Sequence, residues 1–196
     1  MMPGPDQHEL LAWAQWWALP WKSSLEDWRA VNRHPAINAL HRSKGLVTST
    51  LPGITPCLPP VPHPAVLRLV LASTEQLNLV LALIHNTFSP GAVAPLSEDH
   101  QQWCIRLSMT LPPDMLLPNG DPLQLLRTWV KPATWQRLRM RFPYERVLEM
   151  EKRTLSFENG HNRLNTLLQA VVWRITALPN DNQHLDSYGQ GISHAK

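Results

Sequence analysis

The prolines are the feature of this sequence that most restricts what the chain can fold into. The chain has 19 prolines, and six of them fall within the stretch 45–64, at positions 52, 56, 59, 60, 62 and 64. Proline lacks a backbone N–H, and its ring clashes with the preceding helical turn, so this density excludes a helix interior and a central strand. We therefore predict a proline-rich surface loop over 45–64, lying within one domain rather than between two.

Outside that loop, apolar residues recur at helical spacing behind recognisable start signals. Asp6 followed by Glu9, and Ser73 followed by Gln76, each have the form of a capping box before an apolar run. Proline stands where a first helical turn tolerates it in several further segments. Candidate helical segments begin near positions 7, 23, 35, 65, 73, 97, 121, 132, 143 and 161, and the last of them extends to about 178.

These segments predict an all-α fold, because alternating β-branched stretches are too scarce to build a sheet. We predict one compact helical domain over 1–178, with seven or eight short helices. A flexible tail is predicted over 179–196, because that polar sequence has too little apolar surface to order itself. In the segment 137–142 apolar residues alternate with arginine, which is strand periodicity. We predict helix there, since flanking prolines would bracket an isolated strand, and a short strand is the alternative.

The charge balance and the cysteines limit the classes of partner and compartment. Lys and Arg number 18 against 15 Asp and Glu, and the resulting +3 is small for a genome-coating or membrane-surface protein. Cys57 and Cys104 form no C-x-x-C pair, which favours a reducing compartment and predicts a cytoplasmic protein. The N-terminus shows no signal-peptide pattern. The apolar run 65–84 is interrupted by Arg68 and Glu75 and predicts a core helix.

No familiar pattern for catalysis, metal binding or nucleotide binding occurs in the sequence. The nine histidines show neither H-x3-5-H nor H-E-x-x-H spacing, so we predict no metal site. Cys104 lies in an apolar helical stretch and not in a recognised nucleophile signature. Without a phosphate-binding glycine loop, no cofactor is expected either. We predict a non-enzymatic protein that acts on no small-molecule substrate.

Tryptophan and arginine supply the candidate partner-binding residues. Five of the nine tryptophans lie in the first thirty residues, and Trp is enriched at binding hot spots. Trp16 and Trp21 are therefore candidate anchors, although filling the core and its edges is the commoner role. Arg137, Arg139 and Arg141 are predicted to lie on a helix surface and to contact a protein partner.

Nucleic acid is the alternative partner for the arginine segment. On a helix, positions 137, 139 and 141 spread over about 200 degrees and do not converge on one face. Glutamates follow closely and would compete with phosphates. We therefore favour a protein contact, with Arg137 and Arg139 exposed and of little consequence for stability, and with Phe142 in the core.

The stretch "LQLLRTWVKPATWQRLRMRFPYE", followed after a gap by "LNTLLQAVVWRI", resembles the C-terminal part of the SctK family, the sorting-platform accessory proteins of type III secretion systems. In that family a leucine-rich helix leads to a basic residue, an aromatic residue or leucine, and proline. The corresponding positions here are Arg137, Arg141, Phe142 and Pro143. Upstream, "HPAINAL", a proline-rich gap and "LRLVLASTEQLNLVLALIH" resemble the family's middle section. The tryptophan-rich first thirty residues have no counterpart in the family, and the family's early aromatic-proline-tyrosine pattern is missing from this sequence.

The resemblance implies a mostly helical, non-enzymatic adaptor at the cytoplasmic face of the bacterial inner membrane. Its expected partners are two proteins: the cytoplasmic domain of an inner-membrane ring protein, SctD, and the sorting-platform pod protein, SctQ. Neither a nucleic acid nor a direct membrane contact is part of that expectation.

Overall fold

The structure, a computed structural model, describes residues 5–32, 54–89, 96–112, 120–153 and 161–176. These residues are arranged as α-helices and connecting segments without a strand, so the all-α prediction is confirmed. The predicted helix near 35, the first part of the proline-rich loop (45–53) and the flexible tail over 179–196 lie outside the described residues.

The described residues form nine α-helices, more than the seven or eight predicted, and two short 3-10 helices. The α-helices are α1 (Gln7–Ala18), α2 (Glu26–Asn32), α3 (Pro64–Leu71), α4 (Thr74–Phe88), α5 (Glu98–Ser108), α6 (Pro122–Trp129), α7 (Pro132–Leu138), α8 (Tyr144–Glu151) and α9 (His161–Thr176). The 3-10 helices are Pro20–Ser23 and Arg139–Arg141. The second of these continues α7, so the helix predicted over the arginine segment is confirmed and the strand alternative is wrong.

Helix starts follow the capping chemistry of the sequence. The Asp6 carboxylate accepts from the Glu9 amide at 2.7 Å, and the Glu9 carboxylate accepts from the Asp6 amide at 3.1 Å. Ser73 and Gln76 form the same reciprocal pair at the start of α4. Each box satisfies two amides that no intrahelical carbonyl can reach, which fixes where the helix begins.

The core lies where α4 packs against α5 and α9, while α9 also contacts α3 and α6. These helices present an apolar stripe, and their interior positions are fully buried. The completely buried side chains include Leu67, Leu69, Leu83, Ile84, Phe88, Leu123, Leu126, Leu138, Leu164 and Leu168. Among the described residues, no helix is long and apolar enough to cross a bilayer.

The two N-terminal helices pack onto this core through α3 and the segment that follows α7. The Leu25 amide donates to the Met140 carbonyl at 3.0 Å. The Trp28 indole donates to the Phe142 carbonyl at 2.8 Å, although 114 residues separate the two positions. The Trp28 ring also meets Tyr144 edge-on at 4.8 Å. The tryptophan-rich start of the chain is therefore part of the same core as the helices that follow it.

Candidate partner-binding surface

Arg137, a predicted partner-binding residue, is only 4% exposed. Its guanidinium carbon lies 3.9 Å from the centroid of the Trp17 ring, and its Nε donates to the Trp17 carbonyl at 3.0 Å. A second donor, Nη1, reaches the Ala133 carbonyl at 2.9 Å. Burial lowers the pKa of Arg137 from its ordinary value, and the neighbouring Cys57 side chain opposes that shift. Arg137 thus lies inside the protein and binds a backbone carbonyl in the last turn of α1.

The guanidinium groups of Arg139 and Arg141 also bind acceptors within the protein. Arg139 forms an ion pair with Glu151 at 3.2 Å and lies 5.4 Å from the centroid of the Trp28 ring. Arg141 donates to the Val70 carbonyl at the end of α3, at 3.0 Å, and burial lowers its pKa. Each guanidinium therefore satisfies an acceptor of another helix.

The expectation that Arg137 and Arg139 are exposed is wrong. An arginine supplies five donors on a planar fork, which suits it to the carbonyls left open at helix ends. The arginine segment meets two such carbonyls, those of Trp17 in α1 and Val70 in α3, and its third acceptor is the Glu151 carboxylate of α8. We name Arg137, Arg139 and Arg141 the arginine hub. Its guanidinium groups already bind acceptors within the chain. The geometry therefore does not favour the predicted direct contact between this hub and a partner.

The predicted tryptophan anchors differ in how much surface they offer. Trp16 is 8% exposed and stacks on Trp13 with ring centroids 5.3 Å apart. Its indole N–H has no hydrogen-bond partner within the described ranges. Trp21 is half-buried, and its carbonyl accepts from Arg29 at 3.2 Å. Trp21 therefore keeps some accessible surface for a partner, whereas Trp16 is mainly a core residue.

Two other tryptophans hold the proline-rich segment, the described part of which runs from 54 to 63. The indole N–H of Trp17 donates to the Cys57 carbonyl at 2.9 Å, and that of Trp13 donates to the Pro60 carbonyl at 3.0 Å. At its start, the Thr55 amide donates to the Gln136 side chain at 2.9 Å. These residues form no helix or strand, as the prolines predict.

The same segment presents two large apolar side chains to solvent. Leu58 and Val61 are each 90% exposed. Sequence reasoning missed both, although each directly precedes a proline in "LPPVP" and they lie three residues apart. Beside Val61 is a cavity of about 300 Å³, lined mainly by Trp13, Val66, Trp129 and Lys131 together with the segment itself. We name Leu58 and Val61 with their flanking prolines the proline ledge.

The described ranges bring together no group of three His, Cys, Asp or Glu side chains that could hold a metal ion. Both cysteines are free thiols, Cys57 exposed and Cys104 buried. Burial raises the pKa of the Cys104 thiol, which lies 3.5 Å from the Leu83 carbonyl.

No protein-family description, no curated protein and no solved structure matches this chain.

Proposed function

We propose that the chain is a non-enzymatic adaptor of a bacterial type III secretion system. In this proposal it links the cytoplasmic domain of an SctD-like ring protein to an SctQ-like pod protein, at the cytoplasmic face of the inner membrane. It reaches the membrane only through these partners.

The observation that supports the proposal most is what the residues of the SctK-like pattern do in the fold. Arg137 and Arg141 donate to the carbonyls of Trp17 and Val70, respectively. Phe142 is 2% exposed and accepts the Trp28 indole on its carbonyl, and Pro143 is the N-cap of α8. The residues of the basic-aromatic-proline pattern therefore join helices of this fold. If this chain and the SctK family share the pattern because they share an architecture, its residues should have a structural role of this kind. Chance similarity of composition would not predict such a role.

The surface adds a second, weaker support. Leu58, Val61 and Met109 are each at least 80% exposed. Single exposed apolar side chains are common, but two on one short ordered segment form a patch of the kind that protein partners cover.

The arginine segment was the reason to consider nucleic acid as the alternative partner. Its guanidinium groups are engaged with backbone carbonyls and with Glu151, so they offer phosphates little. No contact in the described part of the chain favours the nucleic-acid alternative over the adaptor.

The adaptor proposal can be tested with three purified proteins: this chain, the cytoplasmic domain of the SctD-like protein and the SctQ-like protein of the same organism. We expect this chain to bind each of the two and to bring them into one complex on size-exclusion chromatography. The two partners without this chain serve as the control. If it binds neither partner but retards labelled nucleic acid in a salt-dependent manner, the adaptor proposal is wrong.

A further inference from the structure

The proline ledge has a backbone that its own sequence holds in one conformation. Proline fixes φ near −65°, and the residue before a proline is pushed to the extended or polyproline II region. Between 55 and 63, every residue except Cys57 is a proline or precedes one. His63, at the end of the segment, has φ −68° and ψ 138°. The segment is therefore biased toward a polyproline II helix before any tertiary contact forms.

One side of this helix faces the tryptophans of α1. In a polyproline II conformation, which has three residues per turn, the carbonyls of Cys57 and Pro60 would lie on the same side, and both accept from α1. Trp17 and Trp13, four residues apart on α1, lie on one face of that helix and donate to these two carbonyls at 2.9 and 3.0 Å. The two indoles thus hold the segment at two points that are three residues apart. The side of the segment that faces α1, its inner face, is therefore bound by the indoles of Trp13 and Trp17.

The other side carries Leu58 and Val61, also one polyproline II turn apart and both 90% exposed. The ends are held, because Thr55 donates to Gln136 and His63 accepts from the Ala65 amide as the N-cap of α3. An apolar pair is therefore displayed on a backbone that is hydrogen-bonded along its length. Binding it would require little further ordering.

We propose that the proline ledge is the docking element of the adaptor, and that it inserts Leu58 and Val61 into an aromatic-lined groove of a protein partner. This inference rests on the proposed adaptor function. Aromatic-lined grooves recognise polyproline II segments through stacking on prolines and apolar contacts, because the ligand is already in its bound conformation. The partner binds the outer face while Trp13 and Trp17 hold the inner one.

The side chains of the proline ledge indicate which kind of groove on the partner would bind it. The residues from 54 to 62, "ITPCLPPVP", include no charged side chain, so an acidic or basic groove would lose solvation without gaining an ion pair. The cavity of about 300 Å³ beside Val61 is lined in part by Trp13, Val66 and Trp129. It offers space for an apolar side chain of the partner.

The test compares two double variants of the full chain. Leu58→Ser with Val61→Ser removes the apolar face of the ledge. Ile105→Ser with Met109→Ser is the matched control, because those side chains, in α5 and at its C-cap, are 53% and 80% exposed and are distant from the ledge in the sequence. Binding of each variant to the SctD-like cytoplasmic domain and to the SctQ-like protein is measured by titration calorimetry. Circular dichroism melts check that all proteins are folded.

We expect the ledge variant to bind one of the two partners at least 10-fold more weakly than the unmodified chain, with the control within about threefold, and with both melts unchanged. Should the ledge variant bind both partners as the unmodified chain does, or should both variants lose affinity equally, the ledge inference is wrong and the adaptor function stands. If the unmodified chain binds neither partner, the adaptor proposal fails and the inference fails with it. If the double variant unfolds, Leu58→Ala alone, on a side chain that is 90% exposed, is measured in its place against the same expectation.

Discussion

Arg137 stacks its guanidinium 3.9 Å from the Trp17 ring and donates to the carbonyl of the same residue, 120 positions earlier in the chain. The contact closes the C-terminal end of α1, where carbonyls have no intrahelical partner. It also places a cation against an indole in a site shielded from solvent, where such pairs are strongest. Arg137 is therefore a structural residue that joins the N-terminal helices to α7.

Replacing Arg137 should accordingly destabilise the fold. We expect Arg137→Ala to lower the free energy of unfolding by about 2 kcal/mol or more, since hydrogen bonds to charged groups contribute ~1.5–3 kcal/mol and the Trp17 carbonyl would be left unsatisfied. Arg137→Lys should recover only part of the loss, because an ammonium cannot reproduce the planar fork. Urea unfolding measures both. The exposed Arg106 is the control, and its change to Ala should shift stability by less than about 0.5 kcal/mol. Equal effects at the two positions would mean that the Arg137 contacts are not stabilising.

Glu151 is the acceptor on the other side of the arginine hub. Its carboxylate accepts from the Trp135 indole at 2.7 Å and pairs with Arg139 at 3.2 Å. Glu151→Ala would leave both donors partly buried without this partner, so we expect a loss of about 2 kcal/mol. Glu149, on the same helix, pairs with the exposed Lys152 and Arg153 and gives a matched control. Glu149→Ala should change the urea midpoint little, and a similar shift for both variants would contradict the role of Glu151.

Several helix starts could be predicted from a few neighbouring residues. The buried contacts of the arginine hub could not. Capping boxes such as Asp6 with Glu9 act within one turn, so four residues of sequence are enough to predict them. The burial of Phe142 also followed from its place between two helices, and it is confirmed at 2% exposure. The exposure of Arg137, in contrast, depends on Trp17, and no local pattern indicates which distant helix end will approach it. Leu58 and Val61 were missed for the same reason: their exposure follows from which side of the segment the tryptophans hold.

Phe142 should be the most costly of these positions. Its ring stacks on Trp135 with centroids 6.5 Å apart and is almost fully buried. Truncation of a buried Phe to Ala typically costs ~3–5 kcal/mol, because the transfer free energy is lost and a cavity remains. Phe142→Leu keeps most of the volume and should cost less than about 1.5 kcal/mol. Thermal and urea unfolding report the difference, and comparable losses for the two variants would show that the site collapses around the smaller residue.

The N-terminal helices should not fold without the rest of the chain. Leu25, Trp28 and Trp13 each donate a hydrogen bond to a residue beyond position 54. We expect a protease site inserted between 45 and 50 to be cut without separating the two pieces, which should co-elute on size-exclusion chromatography. The isolated piece 1–45 should lack a cooperative melt by circular dichroism. Two pieces that separate and each unfold cooperatively would show that the loop joins two domains, contrary to the single-domain prediction.

The buried thiol of Cys104 should make the stability depend on pH in the alkaline range. Burial raises its pKa above the ordinary value of 9.0, because the thiolate would lose its hydration beside the Leu83 carbonyl. Below about pH 9 the thiol is protonated in both the folded and the unfolded chain, and its contribution to stability is fully present. As the pH rises toward the folded-state pKa, the unfolded chain releases its proton first, so the free energy of unfolding falls.

Cys104→Ala removes this titration and should lose less stability than the unmodified chain as the pH rises above about 9. Urea unfolding of both proteins at several pH values, under reducing conditions, measures the difference, in which the titration of the other groups cancels. The small cavity left by the substitution lowers the whole curve without changing its slope, so the slope is the readout. Parallel curves for the two proteins would mean that Cys104 is no more costly to ionise in the fold than in the unfolded chain.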